Sequence, residues 1–174
     1  MLHQARFADP DKPKTAPVEV TAPDGWRGLA TDPELAERLA GAAGAPVALM
    51  QLAIGAYDSM PVSVVTTAAH SRLEAAHGGP LDLRRFRANI VIDSDLLQDE
   101  WAGRRLAFGE QGAELLVTDG IPRCAMVTID PDSGERDPGV LRTIAQQFGN
   151  RYGAYAAPAR KGLIALGDAV RVVS

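Results

Sequence analysis

The sequence predicts a mainly β fold of the α+β class, in which a mixed, largely antiparallel sheet curls into a barrel and about three helices pack against it. Short apolar, β-branched runs recur between turn signals, which is typical of strands. The C-terminal half lacks the regular strand–helix alternation that a doubly wound parallel sheet requires. The length of 174 residues fits a single domain over 1–174 that is long enough to bury a core.

Three segments carry helix signals at both ends. Asp32 precedes an apolar 3.6-residue pattern that stops at Gly44, a residue suited to the left-handed C-terminal position. Thr66 or Thr67 can cap a second helix, and Asp137 can cap a third one. The helices are predicted at residues 32–44, about 68–77 and about 138–148.

Strands are predicted wherever a short apolar or alternating run lies between turn residues. A glycine-rich turn at 109–112 predicts a hairpin between two of them. The predicted strands are 18–20, 47–54, 61–66, 90–93, 105–108, 113–118, 125–129, 152–157, 163–166 and 169–173.

Composition narrows the class of protein. The net charge of −4 argues against a general binder of nucleic acid or anionic membranes, which needs a basic face, although a local basic pocket stays possible. No apolar run approaches the ~18–20 residues of a membrane span, and the N-terminus has no signal-peptide core. A single cysteine cannot form an internal disulfide, so we expect a reducing, cytoplasmic setting.

The single cysteine, Cys124, lies in the stretch 120–134, directly after Arg123 and before an apolar run and a turn. This pattern predicts a loop that brings Cys124 to the head of strand 125–129. A thiolate there could act as a nucleophile, a sulfur carrier or a soft metal ligand. The residues alone leave open a second interpretation, in which Cys124 is a small buried hydrophobe. No CxxC or Cys/His spacing indicates zinc or an iron–sulfur cluster.

A second candidate is the arginine-rich segment 84–89, which precedes a strand in an otherwise acidic chain. Arg84 and Arg85 are expected to be solvated. Arg87 and Asn89 share parity on an extended chain, so their side chains should point the same way. A guanidinium fork and an amide suit a phosphate or a polar heterocycle. The alternative is a basic surface turn paired with carboxylates.

Other polar residues carry weaker signals. Thr66 and Thr67 lie where a helix N-terminus could bind an anion, although capping explains them as well. His70 and His77 lie on similar faces of one helix without a spaced metal or triad partner. Asp130 and the aspartates that follow it are explained by turn and cap chemistry.

Residues 122–124 (Pro-Arg-Cys) followed by 127–134 (Val-Thr-Ile-Asp-Pro-Asp-Ser-Gly) resemble the signature of the MOSC domain, the C-terminal domain of molybdenum cofactor sulfurases. The amidoxime-reducing component and its bacterial relatives share this domain. Further segments resemble the family in the same order, and the resemblance covers roughly 45–174. They are 61–67, 85–92 with its Arg-Phe-Arg-Ala-Asn sequence, 152–155, and 166–170 with its Leu-Gly-Asp-Ala-Val sequence.

The resemblance implies a mainly β, barrel-like fold that binds the molybdenum cofactor, molybdopterin. In the amidoxime reducers, the cysteine that matches Cys124 coordinates molybdenum, which agrees with the softness of a thiolate. Further matching positions lie where the family places polar groups near the cofactor. They are Arg87, Asn89, Arg123, Thr66 and Thr67.

The same resemblance implies an oxidoreductase that reduces small N-oxygenated substrates, with electrons from a separate protein or reductase domain. One alternative is a sulfur carrier that holds a persulfide on Cys124 for sulfuration of a cofactor or a metal–sulfur cluster. Another is a non-catalytic cofactor-binding module. Ala69, His70, Gly120 and Ile121 stand where other residues are usual in the family, and three of these departures, Ala69, Gly120 and Ile121, motivate that last alternative.

Overall fold

The computed structural model describes residues 2–50, 59–110 and 112–173. The chain forms two compact units. The N-terminal unit comprises Met1–Gly55 with Asp132–Gly134, and the barrel unit comprises Ala56–Pro131 with Glu135–Ser174. The single domain over 1–174 stays a prediction.

The N-terminal unit contains an antiparallel three-stranded sheet and one helix. Strands β1 (Gln4–Phe7), β2 (Val18–Thr21) and β3 (Arg27–Leu29) pair in chain order, and α1 (Pro33–Ala43) follows them. Gly44 takes the left-handed conformation (φ 66°) at the end of α1, as predicted. Asp32 occupies the N-cap position, but its carboxylate accepts the Leu29 N–H at 2.7 Å and makes no bond to the helix.

The strand predicted at 47–54 receives no support from the described residues. Residues 46–50 have no regular structure, and 51–54 lie outside the described residues. Leu49 and Met50 are exposed, so the apolar run is not packed as a buried strand there.

The barrel unit contains a curled, six-stranded sheet with the order β5-β4-β8-β7-β6-β9. All neighbouring strands are antiparallel except β4 and β5, so the mixed, largely antiparallel sheet is confirmed. Helices α2 (Thr67–His77) and α3 (Pro138–Gln147) belong to the same unit. The strands are β4 (Val62–Thr66), β5 (Ile90–Ile92), β6 (Arg105–Phe108), β7 (Glu114–Pro122), β8 (Arg151–Arg160) and β9 (Val170–Val173).

Two apolar clusters lie on opposite faces of this sheet. Val64 and Val65 are adjacent in β4 and fully buried, yet each belongs to a different cluster, because successive strand residues point to opposite faces. The Val64 cluster includes Leu106 and Phe108, whereas the Val65 cluster includes residues of α2 and α3, such as Leu73. Each face of the sheet therefore has its own core.

The caps of α2 and α3 confirm the helix signals in the sequence. Thr66 accepts the N–H of Ala69 at 3.1 Å, and Asp137 accepts the N–H of Gly139 at 2.8 Å. These bonds begin each helix close to the predicted residue. None of the helices among the described residues has the length and apolar character needed to cross a membrane.

The strand predicted at 125–129 is wrong. The chain leaves β7 at Pro122 and forms a short 3-10 helix, Ala125–Thr128. Val127 and Thr128 are both buried, and Val127 packs in the same cluster as Ile144 of α3. Tertiary packing therefore overrides the β propensity of this β-branched run.

The strand predicted at 163–166 is also wrong. These residues have no regular strand structure, and Leu163 and Leu166 are among the most exposed apolar side chains of the unit. The Asp168 carboxylate accepts the N–H of Ala165 at 2.8 Å, which closes a local turn instead.

Candidate functional site

Cys124 lies at the end of β7 and immediately before the 3-10 helix Ala125–Thr128, whose N-terminal cap position it occupies. Its carbonyl oxygen accepts the N–H of Val127 at 3.3 Å, which fixes the turn. The residue is exposed and carries a free thiol. The interpretation of Cys124 as a buried hydrophobe is therefore wrong.

A cleft of about 530 Å³ lies beside Cys124. Its walls come from the start of β4, the turn at 85–89, the end of β7 and the first residues of the 3-10 helix. The described lining residues include Arg85, Arg87 and Arg123 but no carboxylate. This cationic lining contrasts with the net charge of −4 for the chain.

Arg123 is a framework residue of the cleft. Its Nε donates to the Tyr152 carbonyl at 2.6 Å, and Nη1 donates to the Phe86 carbonyl at 3.0 Å. The guanidinium carbon lies 5.9 Å from the centre of the Phe86 ring and 5.6 Å from that of Tyr152. Burial lowers the pKa of Arg123, and Nη2 is buried without a hydrogen-bond partner among the described residues. Arg123 thus contributes positive charge to the cleft from a largely buried position, where its guanidinium is bonded to backbone carbonyls.

Gly153 in β8 makes room for this guanidinium. Its φ of 79° lies in the left-handed region, and a Cβ there would be 3.0 Å from Arg123 Nη2 and 3.1 Å from the Val64 carbonyl oxygen. The need for glycine comes from a residue 30 positions away in sequence, so local sequence signals could not reveal it.

Arg85 was expected to be solvated, but its side chain is only 11% exposed. Its Nη2 donates to Asp130 Oδ2 at 2.8 Å, and Nη1 donates to the Thr128 carbonyl at 3.0 Å. These bonds connect the 3-10 helix Leu83–Phe86 to the helix that follows Cys124. Asp130, interpreted from the sequence as a turn residue, is therefore the partner of a half-buried ion pair.

Arg87 and Asn89 both line the cleft, but they do not lie on an extended chain with shared parity. Arg87 has a φ of 52°, in the left-handed region, which breaks the alternation. Its exposed side chain makes no hydrogen bond or ion pair within the described residues, so it is available to an anion. Asn89 Oδ1 accepts the N–H and the hydroxyl of Ser63, each at 2.9 Å, which ties the turn to β4.

Thr66 and Thr67 do not line the Cys124 cleft. Thr66 is buried and caps α2, and the Thr67 hydroxyl donates to Asp93 at 2.9 Å. The structure thus brings Arg87, Asn89 and Arg123 to the cysteine and leaves the two threonines elsewhere.

His70 supports the framework behind the cleft. Its Nε2 lies 2.9 Å from the Leu81 carbonyl oxygen, which can only accept, so Nε2 carries the proton in the neutral ring. Its Nδ1 then accepts from the Tyr152 hydroxyl at 3.1 Å. Burial raises the pKa of Tyr152 above its ordinary range. His77 lies elsewhere, 3.1 Å from a carboxylate oxygen of Asp137.

Within residues 2–50, 59–110 and 112–173, no three His, Cys, Asp or Glu side chains gather as a metal site. Cys124 is consequently a lone thiol among cationic and apolar neighbours, which include the thioethers of Met60 and Met126. Such an arrangement can bind an anionic group that brings its own metal or sulfur.

Known proteins resemble the chain in both sequence and structure. It is 43% identical over 75 residues to a molybdenum cofactor sulfurase of Bombyx mori, and 40% identical over 80 residues to one of Drosophila ananassae. These matches cover 41% and 44% of the chain but only 9% and 10% of the relatives, so the chain matches about a tenth of their length.

Two solved structures share the fold. YuaD from Bacillus subtilis matches with a TM-score of 0.54 and 18% identity, over 67% of this chain and 65% of that one. YiiM from Geobacillus stearothermophilus matches with a TM-score of 0.51 and 20% identity, over 75% and 63%. A family model described as MOSC domain matches residues 51–171, well over half of the chain. The chain therefore belongs to the MOSC domain family.

Proposed function

We propose that the protein binds the molybdenum cofactor in the Cys124 cleft and works as an oxidoreductase on small N-oxygenated substrates. Cys124 is the molybdenum ligand in this proposal, and a separate protein or reductase domain supplies electrons. Membership of the MOSC family and the similarity to molybdenum cofactor sulfurases support a role connected with this cofactor.

One observation carries the proposal: an exposed thiol lies in a cleft whose described lining residues include no carboxylate and two arginines, Arg87 and Arg123, that have no ion pair among the described residues. A thiolate is a soft ligand that suits a transition metal, and guanidinium groups suit a phosphate. A cleft of this kind favours an anionic ligand that carries a metal.

The chemistry of the lining residues fits the cofactor. Cys124 offers the sulfur donor, and Arg87, which has no partner within the described residues, offers a guanidinium for the phosphate. Arg123 adds positive charge, while Met126, which is 38% exposed, offers apolar surface for a ring system. When bound, the cofactor would supply two-electron redox chemistry at its metal.

The residues of the cleft have separate roles in the proposed binding of the cofactor. Cys124 loses its thiol proton when it binds a metal, because the thiolate is the ligand form. Arg87 orients the anionic end of the ligand. Arg85 and Asn89 fix the turn that carries Arg87, through Asp130 and β4 respectively.

Metal content after expression in a cofactor-producing host tests this proposal. We expect bound molybdenum in the wild type, a loss of most of it in Cys124→Ala, and a reduction of about tenfold in Arg87→Ala from the lost charge-assisted contact. Arg142→Ala is the matched control, since Arg142 is an exposed arginine of α3 that does not line the cleft.

Metal-free wild type and Cys124→Ala, both folded, would contradict cofactor binding through Cys124. Turnover is measured separately, with an N-oxygenated substrate and a chemical electron donor. Bound molybdenum without any turnover would contradict the oxidoreductase and favour the non-catalytic binding module.

A sulfur carrier is the second candidate, favoured by the exposure of Cys124 and by the sulfurase names of the relatives. The Cys124 thiolate would attack the terminal sulfur of a donor persulfide, form a new S–S bond, and release the donor as a thiolate. Mass spectrometry should then find one added, reducible sulfur atom on wild type and none on Cys124→Ala. Its absence after donor treatment would count against this candidate.

A further inference from the structure

A second cavity of about 690 Å³ lies in the barrel unit, apart from Cys124. Strands β5 and β9 both line it, although they stand at opposite ends of the strand order of the sheet. The cavity is therefore the opening between the two edges of the curled sheet. Its volume lies within the range of roughly 300–1,000 Å³ typical of ligand sites.

Both edges of this opening are unpaired within the part of the chain that the structure describes. β5 pairs only with β4, and β9 pairs only with β6. Val91 of β5 and Val172 of β9 line the cavity and are 45% and 43% exposed. Exposed apolar edge strands are a template for pairing with another chain, and proteins usually protect them with charge or cover.

An aromatic residue with an unfilled hydrogen bond contributes to the same cavity. Trp101 lines it, is only 5% exposed, and its Nε1 is buried without a partner among the described residues. Buried donors are satisfied in the great majority of cases, so an unpaired indole N–H calls for a partner. Phe108 lies in the lining and in the same apolar cluster as Trp101.

The charge of the opening is negative. Its described lining residues include Asp93 and Asp168 but no lysine or arginine. Among the described residues, Asp93 accepts only the Thr67 hydroxyl and Asp168 accepts only the Ala165 N–H, and neither has an ion pair. Both carboxylates keep free acceptor positions for a cation.

The directions of β5 and β9 determine how an added strand could pair with both of them. β5 is parallel to β4, and the antiparallel pairings through β8, β7 and β6 make β9 run the same way as β5. A single strand between the two edges can thus be antiparallel to both. Antiparallel ladders are slightly more stable per residue than parallel ones.

We propose that this opening binds an extended segment of a partner protein that alternates β-branched apolar residues with lysine or arginine. The segment adds a strand between β5 and β9, directs apolar side chains toward Trp101 and Phe108, and places its cations beside Asp93 and Asp168. The main-chain bonds give affinity, and the pockets and charges give specificity. This inference is independent of the cofactor proposed for the Cys124 cleft.

Selection of a phage-displayed library of random nine-residue peptides on the purified full chain tests the proposal. We expect enriched peptides that alternate β-branched and basic residues and lack proline. Synthetic copies should slow amide hydrogen exchange in β5 and β9. No enrichment, or protection that appears only outside these strands, would overturn the proposal.

Variants locate the binding. Val172→Lys, which places a charge on the edge, should reduce peptide affinity by at least about tenfold, and Asp93→Asn with Asp168→Asn should reduce it about threefold. Leu29→Lys is the matched control, because Leu29 is a 38% exposed apolar residue of β3 in the N-terminal unit. Each variant is checked for folding by circular dichroism. Equal affinity in all variants, or equal affinity for proline-containing copies, would overturn strand addition.

Discussion

The two cavities of the barrel unit are opposite in charge. The Cys124 cleft has Arg85, Arg87 and Arg123 and no carboxylate among its described lining residues, whereas the opening between the sheet edges has Asp93 and Asp168 and no cation. The net charge of −4 reveals neither site. The comparison shows that whole-chain charge excludes classes of partner but does not locate binding sites.

The cavities also differ in how they are built. The Cys124 cleft is enclosed by turns whose conformation is fixed by side-chain bonds to distant carbonyls, such as those of Arg123 to Tyr152 and Phe86. The opening is bounded by two strands, β5 and β9, whose outer edges lack a partner strand among the described residues. We therefore expect the shape of the Cys124 cleft to persist unless one of these side-chain bonds is removed. The opening between the sheet edges should change its structure when a further strand binds there.

Among these variants, the removal of the Arg123 side chain should have the largest effect on the free energy of unfolding. Arg123→Ala removes two hydrogen bonds and the contacts with the Phe86 and Tyr152 rings. We expect the free energy of unfolding to fall by about 3 kcal/mol. Urea denaturation measures it, with Arg142→Ala as the control. A loss below about 1 kcal/mol would contradict a framework role.

Loss of the ion pair between Arg85 and Asp130 should have the next largest effect on the free energy of unfolding. Both partners are mostly shielded, with side chains 11% and 28% exposed. We expect Arg85→Met to reduce the free energy of unfolding by about 2 kcal/mol, less than for a fully buried pair. A double-mutant cycle with Asp130→Asn isolates their coupling, for which we expect about 1 kcal/mol. Purely additive effects would mean that the pair does not join the two turns.

Tyr152 gives the stability of the cleft framework a pH dependence in the alkaline range. Burial raises its pKa in the folded state, so its contribution to stability is fully present below the unfolded pKa of about 10 and is lost as pH rises above it. The slope approaches a limit of about 1.4 kcal/mol per pH unit from this group well above pH 10. Tyr152→Phe should reduce the decline between pH 10 and 11 by about 1 kcal/mol, measured by denaturation at each pH. An unchanged slope would contradict this assignment.

A substitution of Arg87 should change protein stability and cofactor binding in opposite directions. Its φ of 52° is unfavourable for an arginine, so Arg87→Gly should raise the free energy of unfolding by about 0.5–1 kcal/mol while it lowers cofactor retention. Asn150→Gly is the matched control, because Asn150 has a φ of 60° and lies outside the cleft. Equal cofactor retention in both variants would contradict a role of Arg87 in binding the cofactor.

Local signals made much of the fold predictable. Asp137, Thr66 and Gly44 act on residues within one helical turn, so their identity predicts where helices begin or end. A β-branched apolar run likewise predicted β4, and the glycine-rich turn at 109–112 predicted β6 with its return strand β7. The mainly β fold followed from these elements and is confirmed by the sheet and by the similar solved structures.

The remaining elements depend on contacts that are distant in sequence. Residues 125–129 have strand propensity, but the burial of Val127 against the core makes them a 3-10 turn. The burial of Arg85 depends on Asp130, 45 residues away, and the conformation of Arg87 follows from the 3-10 turn before it. Sequence therefore indicated that Arg87, Asn89 and Arg123 gather at Cys124, but it also assigned Thr66 and Thr67 to the site and missed Arg85. It did not give the directions of the side chains.

The most direct test of the central claim is X-ray absorption at the molybdenum edge of protein loaded with the cofactor. The account predicts one more sulfur neighbour of molybdenum in the wild type than in Cys124→Ser, with Arg142→Ala identical to the wild type. An unchanged number of sulfur neighbours in Cys124→Ser, with molybdenum still bound, would contradict Cys124 as the ligand.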